Sequence, residues 1–309
     1  MRQKIPIAVA AVVAACFITG CDVTSPDRSY SADPGQGKAA TVADAKLRDL
    51  TVEDEIEVER AEQRLVKACM AEQGFPYWEF PVPGVDERRA GRYVTDDVRW
   101  AKKYGYGRLF GEKAEEVRLT HPTVTYQKKL AKEERAAYSK ALDGDWRDAM
   151  TVELPGGTGT IETPRGGCSN EARKQLYGDP ETWFTVRRTI TGLMPLYVPD
   201  VMKDKRFTES LEKWSRCMEK AGRPFDNPDK LRAKRDVLTE GMPFTEANKF
   251  DTELAVIDAT CAKESSLGEI ARSLEITYLE KVLERYGKEN AEYRKMRLNA
   301  LVQARKTLS

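Results

Sequence analysis

The chain carries Cys69-Met-Ala-Glu-Gln-Gly-Phe-Pro-Tyr77 and later Cys217-Met-Glu-Lys-Ala-Gly-Arg-Pro-Phe225. Cys, Met, Gly and Pro recur at identical offsets, and each phrase closes on an aromatic residue. Upstream of the first copy, Thr51 begins a helix, with Asp54 three residues on and acids at Glu53 to Glu55 suited to the positive end of the dipole. Ile56, Ala61, Leu65, Val66, Cys69 and Met70 follow at near-helical spacing. Gly74 then stands where a left-handed cap is wanted, and Pro76 forbids continuation. The phrase therefore predicts a helix stop with a thiol one turn before it. The second copy obeys the same grammar, with Thr208 as the candidate cap, a stripe of Leu211, Trp214, Cys217, Met218 and Ala221, and Gly222 and Pro224 as the stop.

Six cysteines are encoded, at 16, 21, 69, 168, 217 and 261. The last four form an even set that favours two disulfides if the compartment is oxidising. Three pairings are open to four thiols. The repeat selects one of them: each phrase is followed by one later cysteine, and each later cysteine opens a Cys-x-x-Glu, Cys168 to Glu171 and Cys261 to Glu264. The expected bridges are Cys69–Cys168 and Cys217–Cys261. A four-thiolate zinc site is the rival, but no Cys-x-x-Cys is present and His121 is the sole histidine. No metal or cofactor is expected.

The first twenty residues supply the compartment. Arg2 and Lys4 precede a nearly continuous apolar run from Ile5 to Ile18, a length that suits a signal h-region better than a membrane span. The run ends Ile18-Thr19-Gly20-Cys21, an order that resembles the bacterial lipobox, in which the cysteine receives a diacylglyceryl group and becomes the mature N-terminus. Residues 1–20 read as a lipoprotein signal peptide, with Cys21 as the lipidated residue. Residues 21–43, rich in Ser, Asp, Pro and Gly, read as a flexible tether spanning roughly 25 Å. The expected address is the extracytoplasmic face of the cell membrane. With Arg2 and Lys4 removed from 51 basic residues, against 50 acidic ones, the mature charge is −1. That balance gives no field to recruit nucleic acid.

The remainder predicts a mainly α fold. Residues 44–178 form a first disulfide-stapled helical half and 179–309 a second. Tyr77 to Gly84 reads as an extended aromatic loop, Val94 to Lys103 as a helix closed by Tyr104-Gly105-Tyr106-Gly107, and Pro122 to Leu142 as one further helix. Met150 to Thr163 reads as a small β-hairpin around a glycine-rich turn. Pro180, Pro195 and Pro199 divide the next apolar stretch, and Asn227-Pro228 opens a short helix. Helices from Thr245 through Cys261 and from Leu267 to Tyr286, then one from Glu289 to Lys306 that folds back, end the chain in a helical hairpin.

No constellation declares a chemistry. Gly156-Gly157-Thr158-Gly159 lacks the Lys-Ser/Thr of a phosphate loop. His121 precedes Pro122, a place for a loop or capping role rather than for a hydrolase base. Asp143 to Trp146 falls short of a calcium loop. Tyr77, Trp78, Phe80, Trp100, Tyr104 and Tyr106 could face a glycan or peptide ligand, against the plainer reading that they pack beneath a long loop.

The twin Cys-Met phrases, Tyr104 to Gly107, Gly167-Cys168 with Glu171-Ala172, Leu176 to Gly178 and Trp214 to Met218 together resemble a group of mainly helical, lipid-anchored or secreted proteins of high-GC Gram-positive bacteria. The resemblance spans about Cys69 to Cys261. It implies placement in the cell envelope, sometimes beside export or peptidoglycan-binding machinery, and supplies no catalytic residue. The expectation is a non-catalytic, lipid-anchored envelope protein that binds a partner protein or wall component. The alternatives are an envelope hydrolase using paired carboxylates and an extracytoplasmic solute-binding protein. The latter needs alternating strands and helices in parallel sheets.

Overall fold

The computed structural model describes residues 49–309. The expected signal peptide, the expected lipidation residue Cys21 and the expected tether lie outside the described residues. The fold is mainly α, as the sequence implied. In chain order it contains α1 (Val52–Glu72), α2 (Val85–Arg88), α3 (Val98–Tyr104), α4 (Arg108–Thr120), α5 (Pro122–Lys129) and α6 (Lys132–Asp143). A hairpin of β1 (Ala149–Glu153) and β2 (Thr160–Pro164) follows. Then come α7 (Cys168–Tyr177), α8 (Pro180–Thr191), α9 (Met194–Lys203), α10 (Lys205–Lys220), α11 (Pro228–Leu238), α12 (Phe244–Glu264), α13 (Leu267–Leu283) and α14 (Gly287–Leu308).

Both Cys-Met phrases end their helices in the same way. At the end of α1 the Phe75 N–H donates to the Met70 carbonyl at 2.9 Å, and Gly74 takes φ +80°. At the end of α10 the Arg223 N–H donates to the Met218 carbonyl at 2.8 Å, and Gly222 takes φ +72°. These are left-handed caps that satisfy carbonyls the helix leaves open. Both methionines are fully buried, and both cysteines are bridged: Cys69 to Cys168 and Cys217 to Cys261, each with Cα atoms 5.5 Å apart.

The helix starts differ. Thr51 caps α1 with a full capping box: its hydroxyl accepts from the Asp54 N–H at 3.2 Å, and its own N–H donates to the Asp54 carboxylate at 3.0 Å. Thr208 does not cap α10. The helix begins a turn earlier at Asp204, whose carboxylate accepts from the Arg206 N–H at 2.9 Å, while the Thr208 hydroxyl donates back to the Lys205 carbonyl. The single helix expected over Pro122 to Leu142 is two. Leu130 is extended, and the Arg135 guanidinium takes the open carbonyls of Gln127, Lys128 and Leu130 at 3.0–3.2 Å. Helix α4, absent from the sequence reading, buries none of its residues.

The hairpin pairs Met150 with Thr163 and Val152 with Ile161. Met150 and Val152 face inward onto Phe184 of α8, and the alternate residues face out.

The two staples sit in different frames. Around Cys69–Cys168, Met70, Tyr77, Tyr138 and Ala172 form a small core. Around Cys217–Cys261, α3, α9, α10, α12 and α13 enclose a much larger one containing Tyr106, Phe207, Trp214, Met218, Leu254 and Leu274. The frames exchange an element each. Helix α3 of the first segment packs on α12, and α14 folds back onto α1, α7 and α8. Ala61, Ala300 and Ala304, all fully buried, bring α1 and α14 together. The sequence boundary at residue 178 thus separates the staples, while the packing crosses it.

Candidate functional site: a charged groove across α1, α7, α8 and α14

The exchange of α14 creates a groove of about 540 Å³. Each long helix around it contributes residues at helical spacing: Glu55, Val58, Glu59 and Glu62 from α1, Arg173 and Tyr177 from α7, Trp183 and Arg187 from α8, Tyr293 and Arg297 from α14. Residues three, four and seven apart share one helix face, which aims these side chains into a common space. The short α2 adds Glu87 and Arg88.

The groove is electrostatically paired. Glu55 lies between two guanidiniums: Arg297 donates to its carboxylate, and Arg88 stands 3.9 Å away. Arg88 also donates to Glu59 at 2.5 Å, and Arg173 to Glu62 at 3.0 Å. The Arg88, Arg297 and Glu55 side chains are mostly shielded from water, so their pairing is stronger than that of a surface salt bridge. Burial pushes the Glu87 carboxyl up, but hydrogen bonds from Lys113 at 2.8 Å and from the Gly84 N–H outweigh it and hold the group below its ordinary value.

One wall is an aromatic stack. Tyr177 lies face to face with Trp183 at 3.7 Å, Trp183 lies parallel to Tyr293 at 5.5 Å, and the Arg297 guanidinium covers Tyr293 at 5.3 Å. Burial, with the Glu62 charge nearby, pushes the Tyr177 phenol well up, so it stays neutral. Rigid rings beside fixed arginine–carboxylate pairs suit recognition of a ligand that carries both charges, such as one with amine and carboxylate groups. No Ser, Cys or His is among the described residues lining the groove.

The six aromatics singled out in the sequence do not line it and do not gather in one place. Tyr77, Trp78 and Phe80 sit over the first core. The Tyr77 hydroxyl donates to Gln63 at 2.8 Å, and the Phe80 ring stacks on His121 at 3.9 Å. Trp100 and Tyr104 pack beside one another, and both donate to Asp86, Trp100 to its carbonyl and Tyr104 to its carboxylate. Tyr106 lies in the second core, its hydroxyl 3.0 Å from Asp258. Tyr77, Trp100 and Tyr106 are buried, and Trp78 is the most exposed at 41%. These residues do not build one open aromatic groove, because Tyr77 and Phe80 pack on the first core, Trp100 and Tyr104 pack on one another, and Tyr106 is buried in the second core.

His121 joins α4 to α5, and its Nε2 lies 3.2 Å from the Glu79 carbonyl, consistent with a loop role. Among the described residues no group of three or more His, Cys, Asp or Glu is placed to hold a metal, and no helix is long and apolar enough to cross a membrane.

Sequence reasoning passed over the groove. Glu55, Glu59 and Glu62 do share a helix face, but 33% of the chain is charged and many faces look alike. The spacing shows which residues share a face and not which face another helix will cover. No protein-family model, curated protein or solved structure matches this chain.

Proposed function

We propose that the chain is a lipid-anchored, extracytoplasmic envelope protein that binds a partner protein or cell-wall component without chemistry of its own. The observation that carries this reading is the cysteine assignment. The two bridges account for every cysteine beyond residue 21. Disulfides of this kind belong to oxidising compartments, which agrees with the signal-like leader and the lipobox order at Cys21. The kinship suggested by the twin motifs belongs to the same proposal. The groove is its binding surface. A hydrolase needs two carboxylates able to exchange a proton with substrate, and those of the groove are engaged by arginine or lysine. A solute-binding architecture needs parallel sheets, and the described residues hold one two-stranded antiparallel sheet.

Two measurements test the proposal. Cys21→Ala should move the protein from the membrane fraction to the soluble fraction or leave an unprocessed precursor. A mature N-terminus that mass spectrometry finds unlipidated and elsewhere than Cys21 contradicts the anchor. Crosslinking in the native envelope should join groove residues to one recurrent partner or to wall material. Turnover of purified peptidoglycan, abolished by one Asp or Glu substitution, contradicts a non-catalytic role.

A further inference from the structure

The described residues begin beside the groove. Leu50 is one of its lining residues, and Asp49 pairs with Arg294 of α14 at 3.1 Å. Arg294 and Arg297 are three apart on one helix, so that pair lies one turn from the guanidinium that covers Tyr293 in the groove wall. On the other side of Leu50, the capping box of Thr51 and Asp54 fixes where the chain turns into α1. Residues 49 and 50 are therefore held from both sides, on α14 and on α1. The residues before Asp49 are covalently delivered to the groove, with no intervening linker.

Those residues read Val42-Ala-Asp-Ala-Lys-Leu-Arg48 and lie outside the described residues. Three features of their sequence match the groove. The first is length. The groove follows α1 from Glu55 to Glu62, seven residues, or about 10 Å at the helical rise. Seven residues of chain can span up to about 23 Å, enough to run that length. The second is charge. Lys46 and Arg48 against Asp44 leave the stretch with one net positive charge. In the groove, the Glu59 and Glu62 side chains keep 37% and 21% of their surface exposed. A carboxylate has room for more donors than the one guanidinium each already binds, Arg88 on Glu59 and Arg173 on Glu62. The third is apolar surface. Val42 and Leu47 suit the ring stack of Tyr177, Trp183 and Tyr293.

Attachment favours this occupant over a free one. A segment joined to its site by a short connection meets it at an effective concentration on the order of millimolar. A ligand of equal intrinsic affinity has to exceed that concentration to compete. Its apparent affinity falls in proportion to the fraction of molecules whose groove is open.

We propose that residues 42–48 of the chain itself are the resident occupant of the groove, an autoinhibitory contact that an outside ligand must displace. The proposal rests on the groove being the binding surface of the protein. Lys46 and Arg48 turn toward Glu59 and Glu62, and Leu47 covers the aromatic wall.

The test uses the full chain with the photo-crosslinker p-benzoylphenylalanine in place of Leu47, irradiated in dilute purified form and mapped by peptide mass spectrometry. Intramolecular crosslinks should fall on the groove segments of α1, α7, α8 and α14, at least fivefold above those elsewhere. The double variant K46E/R48E should lower that yield at least fivefold, and Lys46→Arg should leave it intact. Both changes lie outside the packed helices, so loss of the fold does not confuse the result. Crosslinks scattered over other helices, or a yield that K46E/R48E leaves unchanged, overturn the proposal. Crosslinks between two molecules also overturn it and assign the groove to a second copy. Failure here is distinct from failure of the binding reading. If residues 42–48 reach the groove while crosslinking from the groove in the native envelope finds neither a partner nor wall material, the binding reading falls and the intramolecular contact stands.

Discussion

The ends of α1 and α10 are near-copies, and what surrounds them is not. Each ends in a Cys-Met phrase, a left-handed glycine and a backbone bond back to the methionine carbonyl. Yet Cys69 is tied to the start of a helix and Cys217 to the end of one. The first staple holds a small core beneath a loop, and the second holds the main core. A local phrase thus dictates how a helix stops and where its thiol lies. The partner's position in its own helix, which the phrase does not encode, decides what the bridge is embedded in.

The largest effects should come from the bridges. Replacing both cysteines of a pair by serine removes the restraint on the unfolded chain, about 4.7 kcal/mol for the longer loop and about 4 for the shorter in the chain-entropy model. Denaturant titration should therefore show the Cys69–Cys168 double variant slightly the less stable of the two. If loss of the Cys217 pair is much the costlier, native packing rather than chain entropy governs the comparison.

The methionines sharpen the contrast between cores. Met70→Ala and Met218→Ala each delete a fully buried side chain, a class of change that costs about 2–5 kcal/mol. Met218 lies in the larger core, so its truncation should fall near the top of that range and that of Met70 near the bottom. Equal losses in urea titrations would show that the two cores relax alike.

Burial raises a carboxyl in each frame, Asp143 in the first and Asp258 in the second. Burial raises the Asp258 carboxyl to about 6, against the opposing hydrogen bonds from Trp214 at 2.9 Å and Tyr106 at 3.0 Å. Between the ordinary aspartate value and about 6, the folded chain keeps a proton that the unfolded chain has released. The stability this proton supplies is fully present below about pH 4 and is lost as pH rises through about 6. The span corresponds to about 3 kcal/mol. Asp258→Asn should flatten the stability profile across that window, and an unchanged slope would place the titration elsewhere.

The smallest effects test the likeness itself. A Cβ added at Gly74 or at Gly222 meets nothing within 4 Å, so only the left-handed backbone resists it. Gly74→Ala and Gly222→Ala should each cost about 1 kcal/mol, and by equal amounts. Unequal thermal shifts would mean that the two stops are less alike than their hydrogen bonds indicate.

What could be read in the sequence follows from this division. Helix stops, the hairpin and the pairing of the cysteines depend on residues within a few positions of one another or on the repeat itself, and they were legible. Two local errors have local causes. Thr208 fits the type of a cap, but Asp204 fills that role one turn earlier. The break after Lys129 went unseen because it is held by a side chain, Arg135, and not by glycine or proline. The exchange of α3 and α14 between frames depends on long-range packing that no spacing announces. The groove depends on that exchange, so its residues were hidden among many other charged faces.

The account rests on two independent staples, and non-reducing peptide mapping of the intact protein tests it most directly. The account predicts disulfide-linked peptides joining Cys69 to Cys168 and Cys217 to Cys261, with no others. A crossed link such as Cys69–Cys217, or free thiols at any of the four positions in protein isolated without reductant, would contradict it.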